Sequence, residues 1–167
     1  MKTNSDNPLL SNYDRIILAS KSPRRLDILR EHGIIPIVMP GNADESLPDN
    51  ISFTDAVTML SDRKALAALE QPEIVEFDGK SLIIASDTIV YKDKIMGKPI
   101  DEEDAFVMLS SLRNDKHYVA SGVTLIAVIN GEPQFDEILL TLARGGGKNG
   151  FMSARSSFFI SPIYPIR

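Results

Sequence analysis

The amino-acid sequence predicts an α/β fold in which helices flank a mixed, twisted sheet. Through the first 112 residues, apolar runs typical of strands alternate with amphipathic segments typical of helices. Two longer β-type segments follow, on either side of Asn130-Gly131, which is a strong signal for a tight hairpin turn. The order of elements is therefore mixed, and the chain shows no internal repeat.

Local signals place the individual elements. Helices are predicted over residues 23–32, 53–69 and 102–112, and extended segments over 15–19, 34–39, 82–91, 117–129 and 134–142. Pro23 suits the first position of a helix, and Gly33 suits the residue just after its end. Ser52 and Asp55 form a capping-box pattern that begins the second helix. The third helix is predicted to bury Ala105, Met108, Leu109 and Leu112, which recur at helical spacing.

Composition divides the chain into three parts. Residues 1–14 form a polar, flexible arm, residues 15–143 hold the predicted folded domain, and residues 144–167 differ in kind. This last segment starts with a glycine run and continues as apolar and aromatic sequence without helical periodicity. We expect it to be an atypical C-terminal tail.

Charge and composition exclude several classes of function. The net charge of −5 provides no overall basic field for nucleic acid, so a polyanion site would have to be a local cluster. The chain has no cysteine and two histidines, which excludes thiol chemistry and a histidine metal cage. No apolar run approaches the ~20 residues that span a bilayer, and no secretory signal is evident, so we expect a cytoplasmic protein without membrane contact.

The segment Ser20-Lys21-Ser22-Pro23-Arg24-Arg25 is the most informative in the chain. It follows a short apolar strand, and it places Ser22 at the cap and Pro23 at the first position of a helix. The amides at a helix start, next to two guanidinium groups, form an anion site for which a phosphate is the natural ligand. The alternative is an ordinary strand–loop–helix junction with two solvated arginines.

Asp87 is the second strong signal. It lies inside an almost continuous apolar β segment, where a carboxylate is costly unless it is paired or binds a metal. Such residues are found at functional sites more often than by accident. The alternative is that the strand ends near Ala85 and that Asp87 caps a turn.

Four further charged residues are candidates for the same site. Asp44 and Glu45 provide loop carboxylates of the kind that Mg²⁺ binds together with phosphate oxygens, although an acidic pair in a loop is more often solvated. Lys64 interrupts the apolar row of the second helix; it is either a phosphate contact or a lysine that reaches water. Lys98, between Gly97 and Pro99, is either a phosphate contact or a simple loop lysine.

Taken together, these segments resemble the Maf family of nucleoside triphosphate pyrophosphatases over roughly residues 15–125. The resemblance rests on Leu18 to Arg25, Asp44-Glu45, Arg63-Lys64-Ala65, Ala85 to Val90, Gly97-Lys98-Pro99, Asp104-Ala105, Met108-Leu109, His117 and Ser121-Gly122-Val123. It implies a mixed α/β fold with a nucleotide cleft between two lobes, often in a homodimer. It also implies a Maf-like catalytic domain that hydrolyses a nucleotide between the α and β phosphates, using a divalent metal, Mg²⁺ or Mn²⁺.

The resemblance also assigns roles to residues. It makes Asp87 the proton acceptor or metal-linked carboxylate, and Glu45 the second metal ligand. Ser20 and Ser22 would hold phosphate oxygens, while a triphosphate needs cationic donors that Arg24, Arg25, Lys64 and Lys98 can supply. Arg24 and Thr88 match the branch that resembles dTTP and UTP pyrophosphatases, and modified pyrimidine nucleotides are further candidate substrates.

The C-terminal part departs from the family pattern. Members of the family continue with a further helix and a Lys-Ala-Gly…Gly-Gln segment that lines the base pocket, and residues 144–167 contain no such segment. Two alternatives therefore stand beside an active pyrophosphatase. One is a catalytically silent relative that binds nucleotide or a partner subunit, and the other is a different nucleotide hydrolase, such as the 7-methyl-GTP type.

Overall fold

The protein is described by a computed structural model, which gives residues 10–113, 115–145 and 153–155, with side chains as far as residue 134. The helices are α1 (Pro23–Glu31), α2 (Phe53–Leu69), α3 (Pro72–Val75) and α4 (Glu102–Leu112). The strands are β1 (Arg15–Leu18), β2 (Ile37–Val38), β3 (Lys80–Lys92), β4 (Lys94–Met96), β5 (His117–Ile129), β6 (Glu132–Gly145) and β7 (Ser153–Arg155).

These strands form one mixed sheet in the order β2-β1-β3-β5-β6-β7, with β4 paired to β3. β1 pairs in parallel with β2 and β3, whereas the other described pairings are antiparallel. The β5–β6 hairpin turns at Asn130 and Gly131, whose φ angles of 52° and 80° are those of a primed turn. The predicted fold class, a mixed sheet with flanking helices, is confirmed.

One edge of β3 changes neighbour halfway along its length. β5 pairs with one edge of β3 from Lys80 to Tyr91. On the other edge, β1 pairs with residues 81–84 and β4 with residues 90–92. Among the described strands, none pairs with residues 85–89 on that side. The chain that leaves β1 at Leu18 turns away here into α1, and the sheet opens into a cavity.

Helix α2 covers the sheet beside this opening. Ala65 and Ala68 pack with Ile83 and Ala85 of β3 in one apolar cluster. Ala56, Val57 and Leu60, nearer the start of the helix, pack with Ile89 of β3 in another. Side chains alternate along a strand, so Asp87 lies on this same face, between Ala85 and Ile89. The alternative in which the strand ends near Ala85 is wrong, because β3 continues through Asp87 to Lys92.

Two local predictions were wrong, the first of them in part. Leu109 of α4 is 68% exposed, whereas Ala105, Met108 and Leu112 are half-buried. Helical spacing defines an apolar face, but it does not supply a neighbour to cover that face. Ser22 lies at the N-cap of α1 as predicted, yet its hydroxyl makes no cap hydrogen bond. The Ser52 cap of α2 is present, because its hydroxyl accepts the Asp55 N–H at 3.1 Å.

The ends of the domain lie partly outside the described residues. Within the predicted arm, Leu10 is buried, and the Asp14 N–H donates to the carbonyl of Lys80 at 2.8 Å. Leu10, within the predicted arm, therefore packs with Ile16 and Leu82 of the folded domain. In the predicted tail, the backbone of β7 pairs with β6, and most of residues 144–167 are outside the described part. No described helix combines the length and apolar character required to cross a bilayer.

Candidate active site

A cavity of about 1290 Å³ lies at the opening between β1 and β4. Its walls come from the β1–α1 junction, the loop after β2, helix α2, the open stretch of β3, and the segment from β4 to Pro99. The charged residues that line it are Lys21, Arg25, Lys64, Lys98, Asp44, Glu45 and Asp87. Basic side chains thus gather at one cavity of a chain whose net charge is −5.

The β1–α1 junction supplies one end of the cavity. Ser20 is buried, and its Oγ accepts the N–H of Ser22 at 3.2 Å and Nη1 of Arg25 at 3.1 Å. Nη2 of Arg25 lies 3.5 Å from Oγ1 of Thr88, whose hydroxyl is 2.9 Å from Oγ of Ser121. Hydroxyls, a guanidinium group and the N-terminus of α1 therefore converge, which is a chemistry suited to phosphate oxygens.

Lys64 and Asp87 meet in the middle of the cavity. Lys64 extends from the face of α2 that packs on the sheet, and its ammonium donates to Oδ1 of Asp87. The two side chains are only 18% and 14% exposed. Lys64 interrupts an apolar helical row, and Asp87 interrupts an apolar strand. Their opposite charges therefore neutralise each other.

Glu45 joins this pair from the loop after β2. Its Oε1 is 3.1 Å from Nζ of Lys64, and its Oε2 accepts a hydrogen bond from Lys98 at 3.0 Å. The hydrogen bonds from Lys98 and Lys64 lower the pKa of the Glu45 carboxyl. Gly41 brings this loop close to α2, since an added Cβ would lie 2.4 Å from the backbone of Ala67.

Arg63 fixes the same loop from the neighbouring position on α2. Its Nη1 donates to the carbonyl oxygens of Asp44 and Ser46, at 3.2 and 2.5 Å, and lies 3.7 Å from Oδ2 of Asp44. Hydrogen bonds from the backbone and side chain of Ser46, with a smaller contribution from Arg63, lower the pKa of Asp44. The carboxylate of Asp44 therefore caps its own loop, while Glu45 is presented to the cavity.

The donor set of the site is compatible with a hard divalent cation. The carboxylates of Glu45 and Asp87 both contact the ammonium group of Lys64, so they lie close enough together to share one cation. Mg²⁺ and Mn²⁺ favour such oxygen ligands, together with water and phosphate oxygens. No group of three or more acidic or histidine side chains gathers anywhere in the described residues, so a metal here would need ligands from substrate or water.

The structure brings together most of the residues predicted from the sequence. Those that line the cavity are Ser20, Ser22, Arg25, Glu45, Lys64, Asp87, Thr88 and Lys98. Arg24 is exposed and does not line it, because adjacent residues on a helix point about 100° apart. Lys21 lines it and was not assigned a role; its position between the two serines of the motif was the available signal.

The chain matches the family described as Maf-like protein over residues 15–140, about three quarters of its length. The chain belongs to the Maf family. The family resemblance inferred from the sequence is thereby confirmed, and the matched range contains all the cavity residues discussed above.

Two curated relatives of this Maf protein are named dTTP/UTP pyrophosphatase. The chain is 38% identical over 113 residues to the one from Caldicellulosiruptor bescii, covering 67% of this chain and 56% of the relative. It is 40% identical over 118 residues to the dTTP/UTP pyrophosphatase of Desulforamulus reducens, covering 70% and 59%. The Maf chain thus spans little more than half the length of the relatives it matches.

Among solved structures, the Maf chain is similar to a nucleoside-triphosphatase, dITP/XTP pyrophosphatase, of Mycobacterium abscessus. The TM-score is 0.43 at 16% identity, covering 87% of this chain and 86% of the other. A second similar structure is the Ham1 protein of Staphylococcus aureus, with a TM-score of 0.46 at 13% identity, covering 90% and 80%. The expected homodimer and cytoplasmic location stay predictions.

Proposed function

We propose that this Maf protein hydrolyses nucleoside triphosphates, dTTP and UTP first among them, to the monophosphate and pyrophosphate. Modified pyrimidine triphosphates are candidate substrates of the same reaction. The curated relatives are named dTTP/UTP pyrophosphatases, and the family match covers the whole cavity. The substrate is a proposal for this chain because the similarity spans only part of those relatives.

One observation carries the proposal. Phosphate-binding groups and carboxylates, which come from five separate stretches of sequence, converge on one cavity at the open edge of β3. Neither set suffices alone, since cations and hydroxyls bind a polyphosphate without cleaving it, while carboxylates repel it. A phosphoryl-transfer site requires both, because it has to offset negative charge and also activate a nucleophile.

The β1–α1 junction would hold the phosphate chain. Ser20, Ser22 and Arg25, with the amides at the start of α1, would supply hydroxyl, guanidinium and amide donors to phosphate oxygens. Lys64 and Lys98 supply two further cations that line the same cavity. Thr88 lies next to Arg25 at 3.5 Å and would contact the same ligand.

Asp87 would act as the general base. A water oxygen attacks the α-phosphorus, the bond from that phosphorus to the bridging oxygen breaks, and pyrophosphate leaves with that oxygen. The proton of the water passes to the carboxylate of Asp87, whose position among apolar residues limits access of bulk water. Lys64 and Lys98 stabilise the charge that develops on the phosphate oxygens.

Glu45 and Asp87 are the residues that would hold a divalent metal. A bound Mg²⁺ or Mn²⁺ would offset charge on the reacting phosphate and favour ionisation of water. This chain's own residues position the acidic loop, bind the triphosphate and accept the proton.

The test is a substrate panel with product identification. The pure protein is incubated with Mg²⁺ or Mn²⁺ and dTTP, UTP, CTP or 7-methyl-GTP, with Asp87→Asn as the matched variant. We expect monophosphate and pyrophosphate from dTTP or UTP, and a loss of about 10²- to 10⁴-fold in the variant. Products that are instead diphosphate and inorganic phosphate would refute the proposal.

A second candidate function follows from the sequence beyond the family match, which ends at residue 140. Because residues 144–167 lack the Lys-Ala-Gly…Gly-Gln segment of the family, a nucleotide-binding protein without turnover is the alternative. This alternative predicts that a folded protein binds dTTP by calorimetry and releases no pyrophosphate. Sustained metal-dependent turnover would exclude it.

A further inference from the structure

The ammonium group of Lys64 contacts both of the carboxylates that would hold a metal. It donates to Oδ1 of Asp87 and lies 3.1 Å from Oε1 of Glu45. Lys98 contacts only the other oxygen of Glu45, at 3.0 Å. Both carboxylates of the candidate metal site are therefore paired with lysines.

Burial decides which of these lysines matters more. Lys98 is 86% exposed, so water screens its attraction to Glu45 and a metal ion would displace it at little cost. Lys64 and Asp87 are both largely shielded, so their attraction is screened much less. A metal that enters between Glu45 and Asp87 must displace the Lys64 ammonium or bind beside it against charge repulsion.

A polyphosphate removes this obstacle. Under the proposed function, phosphate oxygens lie in the same cavity as Lys64. They are better acceptors for its ammonium group than the carboxylates, which can bind a metal ion instead. We infer that Lys64 couples metal binding to nucleotide binding: it blocks the metal site in the nucleotide-free protein, and it releases Glu45 and Asp87 when phosphate takes its ammonium group. This inference rests on the proposed function and names a regulation of that site.

Thermodynamic linkage makes the inference specific. If phosphate raises the affinity for metal by relieving Lys64, metal raises the affinity for phosphate by the same factor. If Lys64 had only a structural role, or if Glu45 and Asp87 bound metal independently of Lys64, phosphate would not change the affinity for metal. Removing the charge of Lys64 should therefore tighten metal binding while weakening nucleotide binding, which are opposite effects of one substitution.

The experiment measures Mn²⁺ binding directly, by electron paramagnetic resonance of the free ion, without nucleotide. Three variants of the full chain are compared with the wild type: Lys64→Met, Lys64→Arg and Lys80→Met. Lys80 is an exposed lysine seven residues before Asp87 on the same strand, roughly 23 Å away at about 3.3 Å per residue. Lys80→Met therefore makes the same change in net charge away from the site.

We expect Lys64→Met to bind Mn²⁺ about tenfold more tightly than the wild type. Lys64→Arg, which keeps the positive charge, should bind no more tightly than the wild type, and Lys80→Met should match it. Equal or weaker Mn²⁺ binding by a folded Lys64→Met would overturn the inference. An equal gain in Lys80→Met would also overturn it, because overall charge would then explain the effect.

A second arm measures binding of an uncleavable α,β-imido analogue of dUTP in the presence of EDTA. Lys64→Met should bind the analogue about tenfold more weakly than the wild type, since one phosphate contact is lost. Unchanged affinity would contradict the transfer of Lys64 to phosphate. Neither arm requires hydrolysis. A protein without turnover would therefore refute the proposed function, whereas the two binding measurements would still decide whether Lys64 couples metal binding to nucleotide binding.

Discussion

Gly122 of β5 lies directly against the backbone of Val57 on α2. A Cβ added to Gly122 would be 2.6 Å from the carbonyl oxygen of Val57 and 3.1 Å from Oγ of Ser61. Gly122 is also the residue of β5 that pairs with Asp87 across the sheet. The missing side chain lets α2 approach the sheet near the point where Lys64, about two turns beyond Val57 on the helix, reaches Asp87.

The first prediction concerns this close approach. Gly122→Ala should destabilise the protein by about 1–3 kcal/mol, because α2 has to move away from the sheet. The measurement is denaturant unfolding. Gly97→Ala is the matched control, since an added Cβ there meets no atom within 4 Å, and it should change stability by less than about 0.5 kcal/mol. Equal effects of the two substitutions would contradict the packing described.

The second prediction separates two adjacent arginines. The sequence assigns both Arg24 and Arg25 to phosphate, whereas only Arg25 lines the cavity and contacts Ser20. Arg25→Ala should raise the KM for dTTP by about tenfold or more, since a charge-assisted contact is lost. Arg24→Ala should have a clearly smaller effect in the same steady-state assay. Equal losses would show that Arg24 also reaches the nucleotide.

The third prediction tests Arg63 as a positioning residue for the loop that carries Glu45. Its guanidinium group binds the carbonyl oxygens on both sides of that residue. Arg63→Gln should weaken Mn²⁺ binding about tenfold, as loss of a group that orients a ligand does. Arg63→Lys should recover part of the affinity.

The control for Arg63 is Arg30→Gln, at an exposed position near the end of α1. It makes the same change in charge away from the acidic loop, and it should leave Mn²⁺ binding unchanged. A loss in Arg30→Gln as large as that in Arg63→Gln would show that overall charge, rather than the position of the loop, sets the affinity.

The fourth prediction concerns pH and a carboxyl group beside the site. Burial raises the pKa of Asp62, and the hydrogen bond from Thr124 at 2.6 Å offsets this only in part. The stabilisation that protonated Asp62 gives the folded state is therefore complete below the ordinary aspartate pKa of about 3.9. This stabilisation is lost as the pH rises through the raised pKa of Asp62 in the folded protein. Above that value, an ionised Asp62 destabilises the fold.

Asp62→Asn should accordingly raise the melting temperature at pH 7, because the amide keeps an acceptor for Thr124 and cannot ionise. The gain should shrink as the pH falls toward 4, where the wild-type carboxyl becomes protonated. Asp115→Asn is the control, since the hydrogen bond from Lys92 lowers the pKa of Asp115 and gives the opposite sign. A melting temperature that falls in Asp62→Asn at pH 7 would contradict this account.

Local signals predicted much of the fold. The bounds of α2 and α4 and the start of β5 lie at the predicted residues, because caps and turns such as Ser52 and Asn130-Gly131 are encoded locally. The short elements α3, β4 and β7 were not predicted. β4 is three residues long and depends on pairing with β3, so it carries too little periodicity of its own.

The candidate site was visible as residues that conflict with their own elements. Lys64 on an apolar helical row and Asp87 in an apolar strand each signalled a site, but only the tertiary structure shows that they pair. The sequence also could not separate Arg24 from Arg25, since both follow the same helix start. Which of them faces the cavity depends on the rotation of α1 relative to the sheet.

Under the proposed function, water attacks the α-phosphorus with Asp87 as base. The most direct test is hydrolysis of dTTP in ¹⁸O-labelled water, followed by mass spectrometry of both products. The account predicts one labelled oxygen in dTMP, none in pyrophosphate, and loss of labelled product in Asp87→Asn. Label in pyrophosphate would show attack at the β-phosphorus and would contradict the account, as would full turnover by Asp87→Asn.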